Sequence, residues 1–308
     1  MAACPPVGDW HRLNVVFIRH GESSNNTLYD QIRAIHGEDC SQELMDSEYN
    51  RLHLNDPGLS EKGKKQAEKL GDFIQDGGWQ SFVKNPDSWE ILSSPQLRAL
   101  LTAKEVSRGF SGKSVTVIPF LHESDGCYES TSEGTTVGLP GLTAAALETQ
   151  FPFFKCVPGM ENGWYKRPLK ESRSQYLNRV DDVIEWLWNS IAERSADSVD
   201  KGLVVVAHSN LIGSLLCKLV GGSGMLILCN TACAHVQLFV SKAHVVPTCA
   251  QSQHIVTLPD GQCQIRLAVI ISVNNITHLL GAPDLIAGND VFGDSHIQEY
   301  LNNNAEPK

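Results

Sequence analysis

With 308 residues, 42% of them apolar, the chain can bury one large α/β core with insertions or two small ones. A formal net charge of −10 and the lack of any long Lys/Arg run argue against non-specific binding to nucleic acid or to an anionic membrane. No secretory leader and no apolar run of membrane-spanning length is read, so a cytoplasmic location is expected, with the nine scattered cysteines reduced. The sequons Asn25-Asn26-Thr27 and Asn275-Ile276-Thr277 are then coincidental.

Residues 13–18, apolar except for Asn14, read as a buried strand. Residues 27–58 are polar and charge-rich, partly helical, and look like an insertion. Ser60 then caps a helix with Ala67, Leu70, Phe73 and Ile74 on its apolar face, and Gly77-Gly78 ends it. Residues 89–93 form a second strand. Ser94 and Pro95 follow as cap and first-turn residue of a helix reaching about Gly109. Residues 115–118 make a third strand. Residues 123–141 are read as a long surface loop opening a second insertion that extends to residue 170. A helix over 176–192 buries Val180, Val183, Ile184, Leu187 and Trp188. The apolar strand 203–207 ends at His208, and a helix over 211–220 stops at Gly221-Gly222. From Met225 to Leu280 the pattern is β-rich, with a turn at Pro259-Asp260-Gly261, and the polar tail after Gly281 is expected to fray. The alternation of strands and helices predicts a three-layer α/β/α fold with a mostly parallel central sheet. Without a linker or repeat, it reads as a single domain over 13–280, with 1–12 and 281–308 as extensions.

Parallel sheets bind ligands beyond the carboxyl ends of their strands. Those ends carry Arg19-His20-Gly21, Ser93-Ser94-Pro95 with Arg98 close behind, His122-Glu123, and His208-Ser209-Asn210. Arginines, histidines and a carboxyl group converging there describe a phosphate site. Guanidinium groups fork onto phosphate oxygens, a neutral, hydrogen-bonded imidazole can attack phosphorus, and a carboxylic acid can protonate the leaving alkoxide. Gly21 is read as freeing the backbone to turn.

The blocks "RHGESSNN", "SSPQLRALLTA", "LHES" and "VVVAHSN", in this order, resemble the signature of the histidine phosphatase, or phosphoglycerate mutase-like, superfamily. "DPGLSEKGKKQAEKLG" and the closing "NNITHLL" are similar to further segments of that family. The resemblance implies that His20 is the nucleophile that becomes phosphorylated. It also implies that Arg19, Arg98 and His208 complete the phosphate pocket, that Ser23 and Asn26 contact phosphate or substrate, and that Glu123 is the proton donor. Asp125 and Glu129 stay open as donors because they share its loop. Ser209 and Asn210 are added as phosphate contacts or caps.

The chain lacks the RHG-x-R-x-P and His-Asp pattern of the phytase-like branch. It also lacks the stretch that follows the acid in glycolytic mutases, so phosphatase is the reading, with a phosphoglycerate mutase-type phosphomutase as alternative. Arg33, Arg51, Lys166 and Arg167 are the basic residues a mutase could use. A catalytically weak, anion-sensing regulatory protein is the second alternative. The expected partner is a small phosphorylated substrate, with a phosphoprotein left open; neither nucleic acid nor membrane is expected, and oligomeric state is unread. No cofactor is called for. Cys229, Cys233 and His235 are read as core residues rather than metal ligands, Ser94 as a cap, and His36, His53 and His244 as surface or local structure.

Overall fold

The structure, a computed structural model, describes residues 10–80, 85–131, 134–194, 202–222, 224, 226–241, 253–257, 263–280 and 282–286. The expected turn at Pro259-Asp260-Gly261, His244 and most of both terminal extensions lie outside these residues. The strands are β1 (Trp10–Arg19), β2 (Trp89–Ser93), β3 (Val115–Val117), β4 (Tyr128–Ser130), β5 (Thr136–Gly138), β6 (Phe154–Cys156), β7 (Gly202–Ala207), β8 (Cys233–Ser241), β9 (Gln253–Thr257) and β10 (Cys263–Asn275). The helices are α1 (Leu28–His36), α2 (Gln42–Leu52), α3 (Glu61–Gln75), α4 (Leu97–Gly109), α5 (Ala144–Gln150), α6 (Arg173–Arg194), α7 (Ser209–Leu219) and α8 (Pro283–Ile286). Among the described residues no helix is long and apolar enough to cross a membrane.

Eight strands form one sheet in the order β6-β3-β2-β7-β1-β8-β10-β9. From β6 to β1 every pairing is parallel, and from β1 to β9 every pairing is antiparallel. The unbroken apolar run of β1 follows from burial on both faces. Leu13, Val15 and Phe17 pack against α6 and α7 through Val180, Leu187, Leu211 and Leu215. Val16 and Ile18 pack the other way, against Leu70 of α3 and Leu100 and Ala103 of α4. This is the three-layer arrangement expected.

Parallel register aligns the carboxyl ends: Arg19 lies opposite Ala207, and Ser93 opposite both Val206 and Val117. Hydrogen bonding continues past the strands, from His20 N–H to the Ala207 carbonyl (3.0 Å) and from Ser94 N–H to the Val206 carbonyl (2.9 Å). The residues just beyond β1, β2 and β7 are thereby held side by side.

Four expectations are corrected. Ser94 does not cap the helix after β2: that helix begins at Leu97, its cap position is Gln96 without a side-chain bond, and Asp56 Oδ1 takes the Leu97 N–H (2.9 Å). Gly21 is not a left-handed turn residue. A Cβ there would stand 2.6 Å from the Gly63 carbonyl oxygen, so glycine is required by the close approach of α3. Residues 123–141 are not simply a surface loop, because β4 and β5 pair as an antiparallel hairpin and Gly126 and Cys127 are buried. The tail is not frayed at its start: α8 docks on α3 through buried Leu285, whose carbonyl accepts from Gln66 Nε2 (2.8 Å). The polar segment 27–58 is more helical than expected and packs around its own small core of Leu28, Ile32 and Met45.

Candidate active site

Arg19 ends β1 and His20 directly follows it; they are 2% and 3% exposed, an unusual burial for basic residues that calls for specific partners. The His20 ring is held at both nitrogens. Nδ1 lies 2.6 Å from the Gly21 carbonyl oxygen, which can only accept, so Nδ1 carries the proton. Nε2 accepts from Arg98 Nε (3.1 Å), and a guanidinium can only donate, so Nε2 carries the lone pair. The His20 carbonyl takes bonds from Asn230 Nδ2 (3.1 Å) and Thr231 N–H (3.3 Å). Thr231 is backed in turn by His278 Nε2 (2.8 Å), which gives the closing "NNITHLL" stretch a place beneath the site. Burial, then the Arg98 and Arg19 charges, hold the His20 imidazole well below its usual value, so it is neutral near pH 7.

His208 follows β7 and is fully buried, with its ring centroid 5.1 Å from that of His20. Its Nε2 meets Ser94 Oγ at 2.7 Å, so the serine read as a helix cap instead fixes this histidine. Burial, followed by Arg98, keeps His208 neutral as well. Two buried polar atoms here have no hydrogen-bond partner among the described residues, His208 Nδ1 and Arg19 Nε. Buried groups left unpaired are costly, and two beside His20 fit residues that take their bonds from a polar ligand. The Arg19 Nη1 donates to the Leu228 carbonyl (2.6 Å), and burial lowers Arg19 to about 10, still cationic at neutral pH.

Glu123 is half-buried at the N-terminus of α7. Its carboxyl accepts from the N–H groups of Asn210 (3.2 Å) and Leu211 (3.3 Å) in the first turn, and from Ser124 N–H (2.8 Å). These donors and the nearby Arg98 favour the carboxylate, yet desolvation prevails and lifts Glu123 above the ordinary glutamate value. Of its loop companions, Asp125 lines the cleft but is tied to Lys170 (2.9 Å), and Glu129 is exposed on β4 outside the lining. Geometry therefore favours Glu123 among the three.

The remaining expected residues also gather here. Ser23, Asn26, Ser209 and Asn210 line the same cleft of about 490 Å3 as Arg19, His20, Arg98 and Glu123. Ser23 and Asn26 bond each other in a reciprocal cap, Ser209 Oγ accepts from Leu228 N–H (3.1 Å), and Asn210 Nδ2 donates to Ser124 Oγ (2.9 Å).

Several contributors escaped the sequence reading. Gln96 Oε1 accepts from Glu123 N–H (2.8 Å). Arg179, from α6, forms a bidentate pair with Glu171 (2.9 and 2.6 Å) and donates to the carbonyls of Phe120, His122 and Glu123 (3.0, 2.8 and 3.2 Å). That clamp fixes the backbone on which Glu123 sits. The outer cleft is lined by Tyr29, Tyr49, His53, Tyr128 and Lys170; His53, expected as surface or local structure, bonds the Asn50 carbonyl through Nδ1 (3.0 Å) and also faces this cleft. Arg33, Arg51, Lys166 and Arg167 do not line it. Among the described residues no group of three or more His, Cys, Asp and Glu is placed to hold a metal ion.

Residues 15–238 match the family model of the histidine phosphatase superfamily (branch 1). Among solved structures, the α-ribazole phosphatase from Shigella flexneri is 15% identical, with 86% of this chain and 97% of that chain covered and a TM-score of 0.45. A mycobacterial glucosyl-3-phosphoglycerate phosphatase, solved with VO3, is 20% identical over 85% of this chain and 99% of its own, with a TM-score of 0.44. No curated protein matches.

Proposed function

Because the chain belongs to the histidine phosphatase superfamily, we propose that it is a metal-independent phosphatase, hydrolysing small phosphomonoesters through a phosphohistidine on His20 with Glu123 as proton donor. The observation that carries this reading is the tautomer of His20: Nδ1–H bonded to Gly21, and the Nε2 lone pair held by Arg98, with the Arg19 charge nearby. A neutral, oriented imidazole beside fixed positive charge is what attack on a phosphate dianion requires.

In the first step the Nε2 lone pair leaves Arg98 and forms the N–P bond. The P–O bond to the alcohol breaks, and Glu123 gives its proton to the departing oxygen. In the second step the Glu123 carboxylate takes a proton from water, the water oxygen bonds phosphorus, and the N–P electrons return to Nε2. Arg19, Arg98 and the neutral His208 hold the non-bridging oxygens throughout, and the two guanidinium groups supply the charge that a divalent ion supplies in other phosphoryl transfers. The raised Glu123 suits both roles, being easily protonated before the first step and a usable base in the second.

The outer cleft supports hydrolysis over mutase chemistry. A mutase must hold a second phosphate or a carboxylate. Beyond the phosphate pocket, Lys170 is the only Lys or Arg lining the cleft among the described residues, and it is engaged by Asp125. The test is phosphate release from a panel of monoesters in EDTA, native against His20→Ala. Turnover in EDTA that vanishes in the variant is expected. Turnover that survives the substitution, or that EDTA abolishes, overturns the reading; no turnover at all returns the phosphomutase and anion-sensing alternatives.

A further inference from the structure

Past the phosphate pocket, one wall of the cleft is a column of four rings drawn from three elements. Tyr29 of α1 stacks on Tyr49 of α2 (centroids 4.9 Å apart, planes at 22°), Tyr49 on His53 (5.9 Å, 8°), and His53 meets Tyr128 of β4 (5.2 Å, 34°). All four are half-buried and line the same cleft as His20. Because the faces are turned to one another, the surface left to a ligand is a row of ring edges. Ring edges carry the positive side of the aromatic quadrupole and attract the face of another ring.

The charges around this wall are balanced or negative. Lys170 pairs with Asp125 (2.9 Å) and lies 4.8 Å over the Tyr128 ring, while Asp46 adds a carboxylate to the lining. Burial raises the phenols of Tyr29, Tyr49 and Tyr128, so they stay uncharged. Nothing in this lining rewards a second acidic group on the substrate.

We infer that the alcohol part of the substrate is a flat aromatic ring without a second acidic group, held edge-to-face by Tyr29, Tyr49, His53 and Tyr128 while its phosphate sits at His20. This rests on the phosphatase reading and adds the class of ester. The test compares benzyl phosphate with cyclohexylmethyl phosphate, which match in charge and in the kind of alcohol released and differ in the ring. The benzyl ester should be favoured by about tenfold in kcat/KM, the effect of one or two such ring contacts. In Tyr49→Leu and Tyr128→Leu, which alter different elements, the ratio should fall toward one. A native ratio near one, or a preference for the saturated ring, overturns the inference and leaves the phosphatase intact. A ratio that persists in both variants overturns the assignment to this wall. If neither ester nor 4-nitrophenyl phosphate is turned over, the phosphatase reading fails and takes this inference with it.

Discussion

Replacing Arg179 by Met should harm stability and catalysis by separate routes, which a second substitution can divide. The Arg179 and Glu171 side chains are 7% and 0% exposed and share two hydrogen bonds. Removing the cation leaves the buried carboxylate with only the more exposed Arg167, 3.8 Å away, at a cost of about 3 kcal/mol, the lower end for a broken buried pair. The double variant Arg179→Met/Glu171→Met should recover most of that, because a buried ion pair and an apolar pair of similar volume differ little in net stability. It cannot restore the donors to the carbonyls of Phe120, His122 and Glu123, so the backbone carrying the acid stays loose. For an alkyl phosphate, kcat/KM of the double variant should fall about 100-fold, the cost of displacing a catalytic group by about 1 Å. For 4-nitrophenyl phosphate, whose phenolate leaves without a proton, the loss should be far smaller. Denaturant unfolding and steady-state kinetics on the two esters read both effects. A single variant with native stability, or a double variant with native rates on both esters, would refute the reasoning.

Gly63→Ala would drive a Cβ into the Glu22 carbonyl oxygen, where the loop after His20 crosses α3; backbone cannot yield as a side chain does. It should cost about 3 kcal/mol or more, at or above the upper end of ordinary overpacking, and a midpoint shift under 0.5 kcal/mol would contradict this. Acidification should destabilise the fold. Burial, then neighbouring arginines, hold His20, His122 and His208 well below 6.5, so below that pH the unfolded chain binds more protons. Each histidine then removes up to about 1.4 kcal/mol per pH unit. Glu123, raised by desolvation, and Asp56, pushed up to about 6 by the same cause, act with the opposite sign, gaining stability as pH falls through their folded values. His235 and His278, lowered by burial to about 4, act in the same direction as the other three histidines. Five groups against two predict a falling unfolding midpoint between pH 6.5 and 5; a flat or rising one would count against the buried neutral histidines.

The parts of the site that could be read from the sequence are those set by local patterns. Arg19 ends an apolar run, His20 and His208 directly follow one, and Arg98 lies in the first turn of the helix after a third, and parallel pairing brings those ends together whatever lies between. What was missed depends on contacts far apart in sequence. Arg179 reaches residues 120–123 from α6, and the Tyr29, Tyr49, His53 and Tyr128 column joins an insertion to a hairpin. No periodicity announces either. Ser94 looked like a cap because Ser-Pro before an apolar periodic stretch is a cap pattern, but its hydroxyl is taken by His208 and the helix starts later. Gly21 was credited with turning, since a sequence does not reveal that the α3 backbone passes against it.

The most direct test of the central claim uses Glu123→Gln with 4-nitrophenyl phosphate. The first step then needs no acid, while the second has lost its base, so the phosphoenzyme should accumulate. The account predicts a burst of one 4-nitrophenolate per enzyme. After an alkaline quench, which preserves phosphohistidine, one phosphoryl group should be found by peptide mass on His20. A burst with the phosphoryl group on another residue, or steady turnover at the native rate with no phosphoenzyme, would contradict it.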